Sequence, residues 1–179
     1  MNGKALTGEL LDVYDIDGRR TGRTIERKNC FDNIDYESER LLLVHACIFN
    51  SRGQMLLQRR QLTKDRYPGL WDVSAGGFVS SGEEPDGAVK RELREELGLD
   101  SGIPEPVFVW REPFGPVLDD FYEVRMELDP EELKLQEEEL IAAAWFSRGE
   151  VFEMLHNGTL VDYPEKLLER MFENNRKSI

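Results

Sequence analysis

The stretch Gly77-Phe78-Val79-Ser80-Ser81-Gly82-Glu83-Glu84-Pro85-Asp86-Gly87-Ala88-Val89-Lys90-Arg91-Glu92-Leu93-Arg94-Glu95-Glu96-Leu97-Gly98-Leu99 decides how the rest of the chain is read. From Glu84 or Pro85 to Leu97 it carries the marks of a helix. Pro85 stands in the first turn, Glu83, Glu84 and Asp86 lie where the helix dipole favours acids, and Gly98 is the C-terminal stop. At ~100° per residue, Glu92, Glu95 and Glu96 share an arc of about 100°. Val89, Leu93 and Leu97 follow one another at i, i+4, i+8 as an apolar seam beside them. Carboxylates packed this closely repel by a few tenths of a kcal/mol per pair unless a cation intervenes. Two readings are open: a site for an oxygen-loving divalent cation, Mg²⁺ or Mn²⁺, or a solvated acidic face with Arg91 and Arg94 as partners. Taken alone, the three glutamates favour the solvated face.

Outward from this helix, the flanking segments alternate strand and turn signals. Upstream, Glu9 to Tyr14 alternates apolar and polar residues, Asp17-Gly18 is a turn, and Arg23 to Arg27 is the return strand, so residues 1–28 read as a hairpin extension. Leu41 to Phe49 is a continuous apolar strand expected to be buried on both faces; with Asn50-Ser51-Arg52-Gly53 and Gln54 to Arg59 it predicts a second hairpin. Trp71 to Ser74 reads as a short strand and Ala75-Gly76-Gly77 as a flexible bend. Downstream, strands are expected at Val107 to Arg111, Phe121 to Leu128 and Ile141 to Phe146. Helices follow at Arg148 to Leu155, ended by Asn157-Gly158, and at Pro164 to Asn174. Interleaving of this kind predicts an α/β protein, a mixed sheet covered by helices.

The 179 residues favour one domain, burying ~70% of the unfolded surface. Cys30 and Cys47 form no Cys-x-x-Cys pair and, with only His45 and His156 as imidazoles, any metal is expected on oxygen. Buried free thiols are the expectation for both cysteines. Met1 to Asp15 shows no signal-peptide pattern, and the longest nearly apolar run is nine residues, so a soluble cytoplasmic protein is expected. The net charge of −13 opposes binding to a nucleic-acid duplex or an anionic membrane. It is unevenly spread: Arg52 to Arg66 holds five bases (Arg52, Arg59, Arg60, Lys64, Arg66) against Asp65, and Asp119 to Glu139 holds ten acids against two bases. The basic segment is either a landing place for a small anion such as a diphosphate or a solvated turn and strand edge.

Gly77, five residues, Glu83, seven residues, Arg91-Glu92-Leu93, one residue, Glu95-Glu96, one residue, Gly98-Leu99 resembles the Nudix box at every defined position, a match expected by chance roughly once in 10⁹ starts. The resemblance extends over Leu41 to about Leu155. It implies an α/β/α sandwich with the box in a loop-helix-loop. It also implies Mg²⁺- or Mn²⁺-dependent hydrolysis of a diphosphate linking a nucleoside, or a related organic group, to another moiety. By position it makes Glu92, Glu95, Glu96 and the Gly77 carbonyl metal ligands, and Glu83 with Arg91 an internal bridge. A box glutamate or Glu139, six residues before Trp145, becomes the proton acceptor. Arg59, Arg60, Lys64, Tyr67 and Trp71 are the candidate substrate contacts, and a homodimer is compatible with the resemblance. Leu56-Leu57-Gln58-Arg59-Arg60, Tyr67-Pro68-Gly69-Leu70-Trp71 and Ser74-Ala75-Gly76-Gly77 further resemble the isopentenyl-diphosphate isomerase branch. That branch carries a catalytic Cys and a metal-binding His where this chain has Gly76 and Phe78. A non-catalytic nucleotide-binding module of the same family is the third reading; such modules commonly lose box glutamates, and none is lost here.

Overall fold

The computed structural model describes residues 8–177. Strands β1 (Leu10–Asp15) and β2 (Arg20–Glu26) form the first hairpin, followed by a short helix α1 (Cys30–Asn33). Then come β3 (Glu39–Phe49), β4 (Met55–Arg60), β5 (Trp71–Asp72), β6 (Ala75–Phe78) and the helix α2 (Pro85–Leu97). Strands β7 (Val107–Phe114), β8 (Val117–Arg125) and β9 (Leu140–Phe146) precede α3 (Arg148–His156) and α4 (Glu165–Lys177). The sheet is mixed: β3 runs parallel to β8 from Leu41↔Val117 to Phe49↔Arg125, and its other pairings are antiparallel. Among the described residues no helix is long and apolar enough to cross a membrane.

Alternation along β3 sends its side chains into two cores. Leu42, Val44, Ala46 and Ile48 pack with Ala88, Val89, Leu93 and Leu97 of α2. Cys47 and Phe49 pack on the opposite face with Val151 of α3 and Leu168, Met171 and Phe172 of α4. The helix-sheet-helix layering is the expected α/β/α sandwich, and both cysteines are buried and free. A third cluster joins the first hairpin to the sheet through Leu11, Val13, Ile25, Cys30, Ile34 and Leu41.

Three expectations are corrected. The second hairpin is paired only at Phe49↔Met55, after which β3 and β4 diverge. The segment 71–78 fills the opening: β5 pairs with β4, β6 pairs with β3, and the buried Ser74 spans the fork. Its hydroxyl donates to the Leu56 carbonyl at 2.6 Å and accepts from the Ile48 amide at 2.8 Å. Ala75-Gly76-Gly77, expected as a flexible bend, is therefore a strand, with Val44↔Gly77 and His45↔Gly76 in register. These glycines provide close approach rather than flexibility: a Cβ on Gly76 would lie 2.8 Å from His45 Nδ1, and one on Gly77 2.2 Å from Glu92 Oε1. The strand expected at Phe121 to Leu128 begins earlier, at Val117, because the tight Phe114–Val117 turn pairs it directly with β7.

Candidate active site

Helix α2 places the box glutamates at the fork. It starts at Pro85 and ends on Gly98, whose left-handed φ of 68° lets its amide reach the Arg94 carbonyl at 3.0 Å. Because Val89, Leu93 and Leu97 are fully buried, the residues flanking that seam are drawn under the sheet edge as well. Glu92 and Glu96, one turn apart, are each only 7% exposed, whereas the Glu95 side chain is half exposed. The Gly76 amide donates to Glu96 Oε2 at 3.2 Å. Burial pushes the Glu92 pKa up against the pull of Arg91, and burial together with the charge of Glu92 pushes that of Glu96 well above the usual carboxylate range.

Arg91 is the hub of the box. Its guanidinium donates to both oxygens of Glu83 at 2.9 Å, to the Phe78 carbonyl at 2.9 Å, to Glu92 Oε1 at 2.6 Å and to Glu95 Oε2 at 3.3 Å. The cation that meets the acidic stripe is thus, in part, this arginine. Among the described residues no three carboxylate, imidazole or thiolate groups converge as a metal cage. The donor chemistry nonetheless suits a hard divalent ion: two desolvated carboxylates repel each other, and Gly77 leaves the space a side chain would fill.

Glu139 reaches the same region through backbone contacts. The Gln136 amide donates to the Glu96 carbonyl at 3.0 Å, the Glu139 amide to the Gln136 carbonyl at 2.9 Å, and the Gln61 amide to the Glu139 carbonyl at 2.7 Å. Lys64 pairs with the Glu139 carboxylate, and the charge of Glu139 contributes to the raised pKa of Glu96.

The basic segment is largely spent on the fold. Arg59 Nε donates to the Gly69 carbonyl at 2.9 Å, Arg60 pairs with Asp72 at 3.2 Å, and Lys64 is held by Glu139. Trp71 packs edge-on against Phe146, with centroids 4.9 Å apart. Tyr67 remains 43% exposed. Sequence reasoning passed over Asp72, Gln58, His45 and Asp119 near the fork. Asp72 accepts from the Tyr163 hydroxyl at 2.6 Å; Gln58 is buried, and its Oε1 has no hydrogen-bond partner among the described residues; His45 Nε2 lies 3.3 Å from Asp119 Oδ1. That last pair is misaligned for a hydrogen bond but close enough for charge attraction. The signal for each was a polar residue at an inward strand position.

The fold defines a class, and the comparisons agree with it. The NUDIX domain pattern matches residues 40–169. An uncharacterized Nudix hydrolase of Listeria monocytogenes is 33% identical over 122 residues, covering 68% of this chain and 72% of the relative. The isopentenyl-diphosphate Delta-isomerase of Escherichia coli is 42% identical over 67 residues, 37% of each chain. Among solved structures, a Deinococcus radiodurans protein superposes with a TM-score of 0.74 at 24% identity, covering 90% of this chain and 98% of that one. A MutT protein of Methanosarcina mazei gives 0.61 at 27% identity, covering 77% and 96%. The chain belongs to the NUDIX domain family. That family is generally linked to diphosphate hydrolysis and commonly uses divalent metals.

Proposed function

We propose that the protein hydrolyses the diphosphate linkage of a nucleoside diphosphate joined to another moiety, or of a related organic diphosphate. The observation that carries this reading is the pair Glu92 and Glu96, desolvated one turn apart against Gly76 and Gly77 with all box residues present. Glu92, Glu95, Glu96 and the Gly77 carbonyl would hold Mg²⁺ or Mn²⁺. When bound, the ion neutralises diphosphate oxygens and makes a water molecule more acidic. Arg91, fastened by Glu83, fixes the rotamers of Glu92 and Glu95. Glu139 or a box glutamate accepts the proton of the attacking water. Lys64, paired with Glu139, is the candidate contact to the diphosphate.

Screening dinucleotide polyphosphates, nucleotide sugars, NADH, coenzyme A, nucleoside triphosphates and prenyl diphosphates with Mg²⁺ and Mn²⁺, read by mass spectrometry, tests this reading. Turnover of at least one is expected; turnover of none favours a binding module.

The partial identity to an isomerase brings in a second reading, which the site disfavours. Isomerisation needs an acid and a base across an alkene, and Gly76 and Phe78 exchange no protons. Cys47 is 3% exposed and burial pushes its thiol pKa up, so it is no substitute. No deuterium should enter isopentenyl diphosphate incubated with the protein and Mg²⁺ in D₂O. Incorporation above the no-enzyme level, abolished by Cys47→Ala, would favour the isomerase.

A further inference from the structure

The loop that presents Lys64 to Glu139 continues two residues on into an open cleft of about 330 Å³, walled by Phe31, Arg66, Tyr67, Phe114 and Val117. That volume lies in the range of small-molecule sites, roughly 300–1,000 Å³. Tyr67 and Phe114 are 43% and 51% exposed, and among the described residues neither ring stacks on another. Arg66 lies with its guanidinium 4.6 Å over the Phe31 ring, and no described carboxylate pairs with it. Of Arg60, Lys64 and Arg66 in the basic segment, it alone keeps its charge uncommitted to an acid. Tyr67 is also the one described non-glycine residue with positive φ, at 53°, and it precedes a proline. A bulky residue held there is strained, and its exposed ring recovers little of that cost by packing.

The cleft shares a wall with the carboxylate site. The Phe31 ring sits 6.0 Å from that of Phe78, and the Phe78 carbonyl accepts from the same Arg91 that holds Glu92. Phe31 precedes residue 40, where the family match begins, so this wall is supplied by the chain's own N-terminal segment.

The geometry points to this cleft as the recognition subsite for the base of a nucleotide substrate, the ring stacking on Tyr67 with Arg66 facing an anionic group carried beside it. Unstacked aromatic faces with an adjacent unpaired cation suit a planar ring on a phosphorylated sugar better than they suit an aliphatic chain. The inference rests on the hydrolase reading for where the diphosphate lies, but its test does not require turnover.

Calorimetric titration in EDTA compares UMP, CMP, AMP and GMP with ribose 5-phosphate, which lacks a base. At least one nucleotide should bind about tenfold more tightly than ribose 5-phosphate. Tyr67→Gly should raise Tm by removing the strain while erasing that advantage, and Tyr67→Phe should retain it. A merely structural tyrosine would not separate stability from base recognition in this way. Nucleotides binding no more tightly than ribose 5-phosphate, or an advantage that survives Tyr67→Gly, would overturn the subsite. The mass-spectrometric screen separates the two ideas. A base preference without turnover of any diphosphate sinks the hydrolase reading and leaves the cleft; turnover indifferent to the base does the reverse.

Discussion

Three glutamates within five positions look alike in sequence, yet their surroundings differ. Glu96 is buried with another carboxylate beside it, and Glu95 stands half in solvent against one arm of Arg91. Glu96→Gln removes a charge that is costly to bury, so without metal it should raise Tm, while lowering kcat by about two orders of magnitude or more. Glu95→Gln should cost less activity and leave Tm nearly unchanged. Thermal melts and steady-state kinetics on both variants check this, and near-native turnover of Glu96→Gln at saturating Mg²⁺ would refute the assigned site. His45 gives a pH-dependent counterpart. Burial opposes its charged form, but Asp119 and the more distant Asp72 and Asp120 outweigh it and raise its pKa above the ordinary 6.5. The stabilisation is therefore complete below pH 6.5 and is lost as pH rises through the raised folded value. His45→Gln should flatten the pH dependence of urea unfolding above pH 6.5; an unchanged slope would mean that His45 is neutral in the fold.

The first hairpin lies before the family match but is laced to the box loop. Arg20 pairs with Asp12 at 3.1 Å and Glu84 at 2.8 Å and donates to the Glu83 carbonyl at 2.5 Å. Asp12 accepts from the Ser81 hydroxyl at 2.7 Å and the Gly82 amide at 3.0 Å, and the Ser81 amide donates to the Leu10 carbonyl at 2.7 Å. Each exposed pair is worth at most about 1 kcal/mol, so their effect is to fix a loop rather than to hold the fold. Arg20→Ala should lower overall stability by less than ~1 kcal/mol yet speed amide exchange at Gly82 and reduce kcat. Hydrogen exchange resolved by residue measures the first effect, and unchanged protection of Gly82 would show that the hairpin does not brace the box.

Across the whole molecule, α2 covers one face of the sheet, and α3 and α4 cover the other. Leu168 of α4 is 1% exposed within the second core. Leu168→Ala should cost roughly 2–5 kcal/mol, read from urea unfolding, without altering KM, because it touches the face away from the box helix. A KM change would mean that α4 shapes the substrate site as well as the core.

What the sequence determined by itself was local. Helix α2 was legible because its end signals, seam and carboxylate spacing all lie in the one stretch from Glu84 to Gly98. The first hairpin and most strands were legible because period-two alternation and turn residues are likewise adjacent in the chain. The membership of Glu92, Glu95 and Glu96 in one arc followed from helix geometry alone. Tertiary structure decided the rest, since which strand edge stays open depends on residues far apart in sequence. It parted β3 from β4, inserted Ser74 between them and made a strand of Gly76 and Gly77. It desolvated Glu92 and Glu96 while leaving Glu95 wet. It also committed Arg60 and Lys64 to acids and left Arg66 and Tyr67 facing an open cleft, because a side chain's availability is set by the partners folding brings to it, and no local pattern specifies those.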